Sequence, residues 1–116
     1  MHAKLQGIGL VVGVAILIGS AEADDAKLKI YGSHLAQECA SCHRPDGANL
    51  GIAPIEGWDA DRFTTTMKAY QSGEKPNPVM VSVAKSLDDE QLRALALYYA
   101  SLPRPRPPHA ADDAKH

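Results

Sequence analysis

Aromatic side chains are scarce, with one Phe, one Trp and four Tyr in 116 residues. Neither sign of charge prevails: 12 Lys+Arg stand against 14 Asp+Glu, a formal net charge of −2. The basic residues are also scattered, which leaves counterion release little to act on and excludes nucleic acid as a partner. No apolar run reaches the roughly 20 residues that a membrane span requires. The length allows one small domain and excludes a multidomain architecture.

The longest apolar stretch, Leu5 to Gly19, follows His2 and Lys4 and precedes Ala21-Glu22-Ala23. A weakly basic start, a short apolar segment and an A-x-A site predict a cleaved secretory signal over 1–23. An uncleaved anchor is the competing reading, for which the stretch is short. Export to the periplasm follows, and with it an oxidising compartment. Without this segment, the chain from Asp24 onward has too few large apolar side chains for a comfortable core at its size. Something other than side chains is expected to fill its middle.

Three segments have helical periodicity. Asp24 and Asp25 open the first, where Leu28, Tyr31, Leu35 and Cys39 share one face of a helix running to about Cys42. Asp59 is the predicted N-cap of the second, which carries Phe63, Met67 and Tyr70 on one stripe and stops at Gly73. Asp88 and Gln91 form a capping box for the third, with Leu87 and Leu92 as a hydrophobic staple. Leu92, Leu95, Ala96 and Tyr99 are its buried stripe, and Pro103 marks its stop. Arg44 to Trp58 is read as a long Gly/Pro/Asn loop, and Gly73 to Val79, with Pro76 and Pro78, as a second non-helical loop. The expected domain is 24–102, and 103–116 is expected to be a Pro/Arg-rich extended tail, disordered from His109.

Cys39-Ala40-Ser41-Cys42-His43 carries the chemistry. C-x-x-C-H is the attachment sequence for haem c, in which two thiols add to the two porphyrin vinyl groups and the adjacent histidine reaches the iron. Two residues between the cysteines bring both sulfurs to one edge of the macrocycle. A thioredoxin-like dithiol would want a βαβ context that is missing, and a zinc site would need two further ligands, with only His34 and two tail histidines at hand. A plain disulfide would leave His43 and the long loops unexplained. For the sixth iron position the mature chain offers Met67 and Met80. Met67 lies on an apolar helical stripe and reads as core. Met80 follows the Pro-rich loop, precedes the last helix and has a soft thioether suited to low-spin iron, although it could also plug a gap. His34 is expected to be exposed.

These residues resemble the class I, single-haem c-type cytochromes. The resemblance covers nearly all of Asp24 to Leu102: the helix ending in Cys39-x-x-Cys42-His43, the loop ending in Pro54-Ile55-Glu56-Gly57, and the run from Met80 through Leu87-Asp88-Asp89-Glu90 into a helix with Tyr98. Ser72-Gly73-Glu74 followed by Pro78-Val79-Met80 is similar to the small cytochrome subunits of periplasmic dehydrogenases such as flavocytochrome c sulfide dehydrogenase. The resemblance implies an all-α fold of three main helices and long loops around one covalent haem c. It also implies Cys39 and Cys42 as thioether anchors, His43 as proximal ligand, Met80 as distal ligand, and a helix crossing between Gly32 and Tyr98. One departure stands out. The loop proline whose carbonyl would hold the proximal histidine is here Ala53, with Pro54 one residue later, which leaves the identity of that carbonyl open. Trp58 is a candidate for a propionate or haem-edge contact, and Arg62 is expected at the surface.

The implied function is one-electron transfer between redox partner proteins, from a periplasmic dehydrogenase to an acceptor such as an oxidase or another cytochrome. The membrane enters only as the neighbour of a terminal oxidase. Two alternatives stand beside it: an obligate cytochrome subunit of a flavin or molybdenum oxidoreductase, and a small haem peroxidase or sensor with a vacant distal position.

Overall fold

A computed structural model describes residues 7, 9–13, 19–44 and 51–105. Four helices occur in the order α1 (Gly19–Ala40), α2 (Ala60–Ser72), α3 (Pro78–Lys85) and α4 (Asp89–Ala100), with no strand among the described residues. The all-α expectation holds, with one helix more than the three expected.

Two of the expected boundaries are set by side chains visible in the sequence. Asp59 caps α2 by accepting from the Arg62 amide, and Gly73, at φ 80°, closes it with its N–H on the Tyr70 carbonyl. Asp88 and Gln91 form the reciprocal capping box of α4. The unexpected helix is α3. Two prolines argued for a loop there, but Pro78 stands in its first turn, where a missing N–H costs nothing, and Asn77 caps it by accepting from the Met80 amide. Proline starts this helix rather than preventing it. Gln71 of α2 then donates to the Ala84 and Leu87 carbonyls, tying the end of α3 to α2.

The first helix departs from expectation at both ends and in its buried face. It begins at Gly19, ahead of Asp24, and ends at Ala40. Most of the expected signal, 1–23, lies outside the described residues, as does the tail from Arg106 onward. Its core-facing side is built on Gly32 and Ala36, while Leu28, Leu35 and Cys39 are half-buried and Tyr31 is exposed. The reason is the crossing with α4. A Cβ on Gly32 would overlap the Ala94 carbonyl and stand 2.8 Å from Tyr98 Cβ, so the backbones meet where side chains are absent. Periodicity counts bulky residues and misses a face made of small ones. Gly32→Val is therefore expected to force the helices apart and cost about 1–3 kcal/mol, the range for overpacking. A thermal melt of the variant reads this directly as a lower midpoint.

Leu92, Leu95, Ala96 and Tyr99 of α4 pack on Phe63 and Met67 of α2, with the Phe63 and Tyr99 rings stacked 5.5 Å apart. Arg93 pairs with Asp25 at 2.9 Å, which fastens the early part of α1 to α4.

Candidate haem site

The end of α1 turns rather than stopping. The amides of Cys42 and His43 both donate to the Cys39 carbonyl, at 3.2 and 2.8 Å, so the chain coils one further step beyond Ala40. This coil brings Cys39, Cys42 and His43 to one wall of a cavity of about 520 Å3, within the roughly 300–1,000 Å3 range of cofactor pockets. Met80 and Val83 of α3 line it as well, as do Phe63, Met67 and Tyr70 of α2 and Ile55 and Trp58 of the intervening loop. A largely apolar chamber with two thiols, an imidazole and a thioether on its walls suits an apolar macrocycle carrying iron. The residues present fit haem c.

The imidazole is held by its far nitrogen. His43 Nδ1 lies 2.8 Å from the Ala53 carbonyl, an acceptor only, so Nδ1 carries the proton and Nε2 keeps its lone pair. The carbonyl left open by the sequence is thus that of Ala53, at the place where the family has proline. A backbone carbonyl needs no particular side chain, and the substitution leaves the hydrogen bond intact.

The thiols of Cys39 and Cys42 are free. Burial pushes the Cys39 thiol up from its ordinary value, partly offset by a hydrogen bond with Tyr99. The Tyr99 hydroxyl is itself pushed far up by burial and by Cys39 beside it. Both groups stay protonated at neutral pH.

Met67 is 5 % exposed among core side chains, as its helical stripe suggested, and His34 is exposed. Trp58 is half-buried at the cavity wall, with the exposed Arg62 guanidinium 3.8 Å above its ring. Arg62 thus contributes a cation–π contact that keeps the indole in place. Sequence reasoning did not find this stacking, although the spacing of four residues between the two positions was available. At the mouth, Val79 is 66 % exposed, and Ile52 and Val83 also show apolar surface.

Helices packed around such a chamber, with C-x-x-C-H at the end of the first and a methionine on the third, define a class I c-type cytochrome. The chain belongs to the small c-type cytochromes, electron-carrying proteins rather than enzymes, whose cofactor is haem c. It is 31% identical over 96 residues to cytochrome c-553 of Helicobacter pylori (strain J99), a match covering 80% of this chain and 94% of that one. It is 32% identical over 103 residues to the thiosulfate dehydrogenase electron acceptor of Stutzerimonas stutzeri (strain A1501), covering 82% of this chain and 48% of that protein. The chain therefore matches about half the length of that relative. The cytochrome subunit of sulfide dehydrogenase from Chlorobaculum tepidum is 29% identical over 72 residues, 61% of this chain and 66% of that one. No family model matches. Small c-type cytochromes of this kind are generally periplasmic.

Proposed function

We propose that this chain is a periplasmic one-electron carrier with a single haem c attached through Cys39 and Cys42, its iron held by His43 and Met80. It would take electrons from a periplasmic dehydrogenase and pass them to an oxidase or another cytochrome. The observation that carries the reading is the convergence of these four side chains on one apolar cavity, with His43 Nδ1 committed to Ala53.

Bound there, the haem supplies an iron that exchanges one electron reversibly between ferrous and ferric states. The chain's own residues set the terms of that exchange. Ala53 fixes the tautomer and orientation of His43 and strengthens the imidazole as a donor. Met80 is a soft thioether, which favours the ferrous form. Phe63, Met67, Ile55 and Tyr99 exclude water, which disfavours the more highly charged ferric site. The exposed Cys42 and the apolar mouth at Ile52, Val79 and Val83 suit a small, transient contact with a redox partner.

Entry to the periplasm would follow cleavage after Ala23. Such cleavage leaves Asp24 and Asp25 as an acidic first turn for α1, favourable to the helix dipole, and retains the Asp25–Arg93 pair. An intact-mass measurement of the exported chain tests this, with a start at Asp24 expected.

The names of the relatives from Stutzerimonas stutzeri and Chlorobaculum tepidum favour a second arrangement, a cytochrome bound stably to a dehydrogenase as its subunit. Affinity purification at native expression separates the two. A free carrier elutes alone at the size of its own domain, and a subunit brings a stoichiometric dehydrogenase with it.

The cap of α3 provides a local test of the Met80 assignment. Asn77→Ala removes the acceptor for the Met80 amide and should cost about 1 kcal/mol. Because Met80 sits in the first turn so capped, the ferric variant should lose its methionine-to-iron charge-transfer band at a lower temperature than the parent.

A further inference from the structure

A second cavity, of about 470 Å3, lies between α1, the end of α4 and the segment Pro103–Pro105, and shares no lining residue with the one around His43. Two charged side chains line it. Glu56 is only 8 % exposed, and its buried Oε2 has no hydrogen-bond partner. A buried acceptor without a donor is rare and calls for a reason. The other is Arg104, whose Nε donates to the Gly57 carbonyl at 3.4 Å and whose guanidinium carries four more N–H donors.

Gly57 is gripped from two sides. Its own N–H donates to the Tyr99 carbonyl at 2.9 Å, while Arg104 covers its α-carbon so closely that a Cβ would overlap Arg104 Cγ and stand 3.0 Å from Arg104 N. Its φ of 76° further reserves the position for glycine. Four residues upstream is Ala53, the carbonyl that holds His43. Between them stand Pro54, with its fixed φ, and the buried Ile55, so a displacement at Gly57 reaches Ala53 with little slack.

We propose that Arg104 is a positioning residue for His43, its Nε on the Gly57 carbonyl and its stem over the Gly57 α-carbon holding the Ala53–Gly57 loop that aims the imidazole. The inference rests on the proposed function, in which His43 binds the iron. The start of the basic tail is then part of the redox centre's support.

The test uses the full haem-loaded chain and its variants Arg104→Ala, Arg104→Lys and Glu56→Gln. Arg104 is exposed, so its replacement leaves the helical core in place. Solvent exchange of the His43 Nδ1–H and of the Gly57 amide is followed by NMR in the ferrous state, with the Leu92 and Leu95 amides as a control for global opening. In Arg104→Ala both loop protons should exchange about tenfold faster, the effect of losing roughly one hydrogen bond, while the α4 amides stay unchanged. A looser bond to Ala53 makes His43 a poorer donor, so the reduction potential should move upward. Arg104→Lys, which keeps the stem over Gly57 but not the planar fork, should restore part of both effects, and Glu56→Gln, which leaves the Arg104–Gly57 contact in place, should keep both near the parent's. Unchanged exchange and potential in Arg104→Ala, with a normal haem spectrum, would overturn the role of Arg104 alone. A chain that binds no haem would remove the proposed function along with it.

Discussion

Met80→Ala is expected to leave the haem attached and destroy its electron-transfer character. Met80 reaches the cavity from the first turn of α3, while Cys39 lies in the last turn of α1 and Cys42 just beyond it, so removing the thioether would not touch the proposed attachment. What changes is the sixth position. With Met80 as the sixth ligand, its loss would leave that position to water or hydroxide, which would favour a high-spin or mixed-spin ferric form and weaken the preference for the ferrous state. The potential should fall by on the order of 0.1 V or more, within the roughly 0.8 V that axial ligation spans. Absorption spectra of both oxidation states and a redox titration measure this. A variant with the parent's low-spin spectrum and potential would show that another group binds the iron, and Met67, on the same cavity wall, would be the first to examine.

The second large effect concerns stability. Cys39→Ala with Cys42→Ala removes both proposed covalent anchors, and the expected result is a chain that no longer unfolds cooperatively. The interior explains why. The largest fully buried side chains are Leu92 and Leu95, and beside the cluster they share with Phe63 and Met67 lies a cavity of about 520 Å3 that those two residues help to line. Left unfilled, a space of that size deprives Phe63, Met67 and Ile55 of packing partners on one side, and each cubic ångström of such loss is destabilising. A domain whose net stability is only about 5–15 kcal/mol has little margin for that loss. Near-ultraviolet circular dichroism should be lost, and the thermal transition should broaden. A double variant that melts as sharply as the haem-loaded parent and at the same temperature would mean that the four helices support themselves.

How legible each element was depended on whether one side chain determined it. Asp59, Gly73, Asp88 and Gln91 cap α2 and α4 by local hydrogen bonds, so α2 could be read at both ends and α4 at its start, while α4 stops at Ala100, short of the Pro103 expected to end it. The stripe Leu92, Leu95, Ala96 and Tyr99 is buried as its spacing indicated. The helix α3 was hidden because Pro78 signals a break unless its place in the first turn is recognised, and Asn77 as N-cap was the available clue. In α1 the crossing of Gly32 with Tyr98 was visible only through the family resemblance, and the buried Ala36 was not read at all, since small residues carry no periodic signal. The candidate site divides in the same way. Cys39, Cys42 and His43 form a contiguous motif and Met80 a distant partner, and the fold brings all four to one cavity. The Ala53 carbonyl and the hold of Arg104 on Gly57 depend on backbone groups and long-range approach, which no local pattern encodes, whereas the Arg62–Trp58 stacking had only its spacing of four residues to announce it.

The most direct measurement is an absorption spectrum of the exported, matured protein, oxidised and reduced, before and after extraction with acid and acetone. A covalent haem with His43 and Met80 on its iron predicts sharp low-spin bands on reduction, a sulfur-to-iron charge-transfer band in the ferric form, and colour that stays with the protein through extraction. Haem that extracts into the solvent would contradict attachment at Cys39 and Cys42, and a high-spin ferric spectrum would contradict Met80 as the sixth ligand.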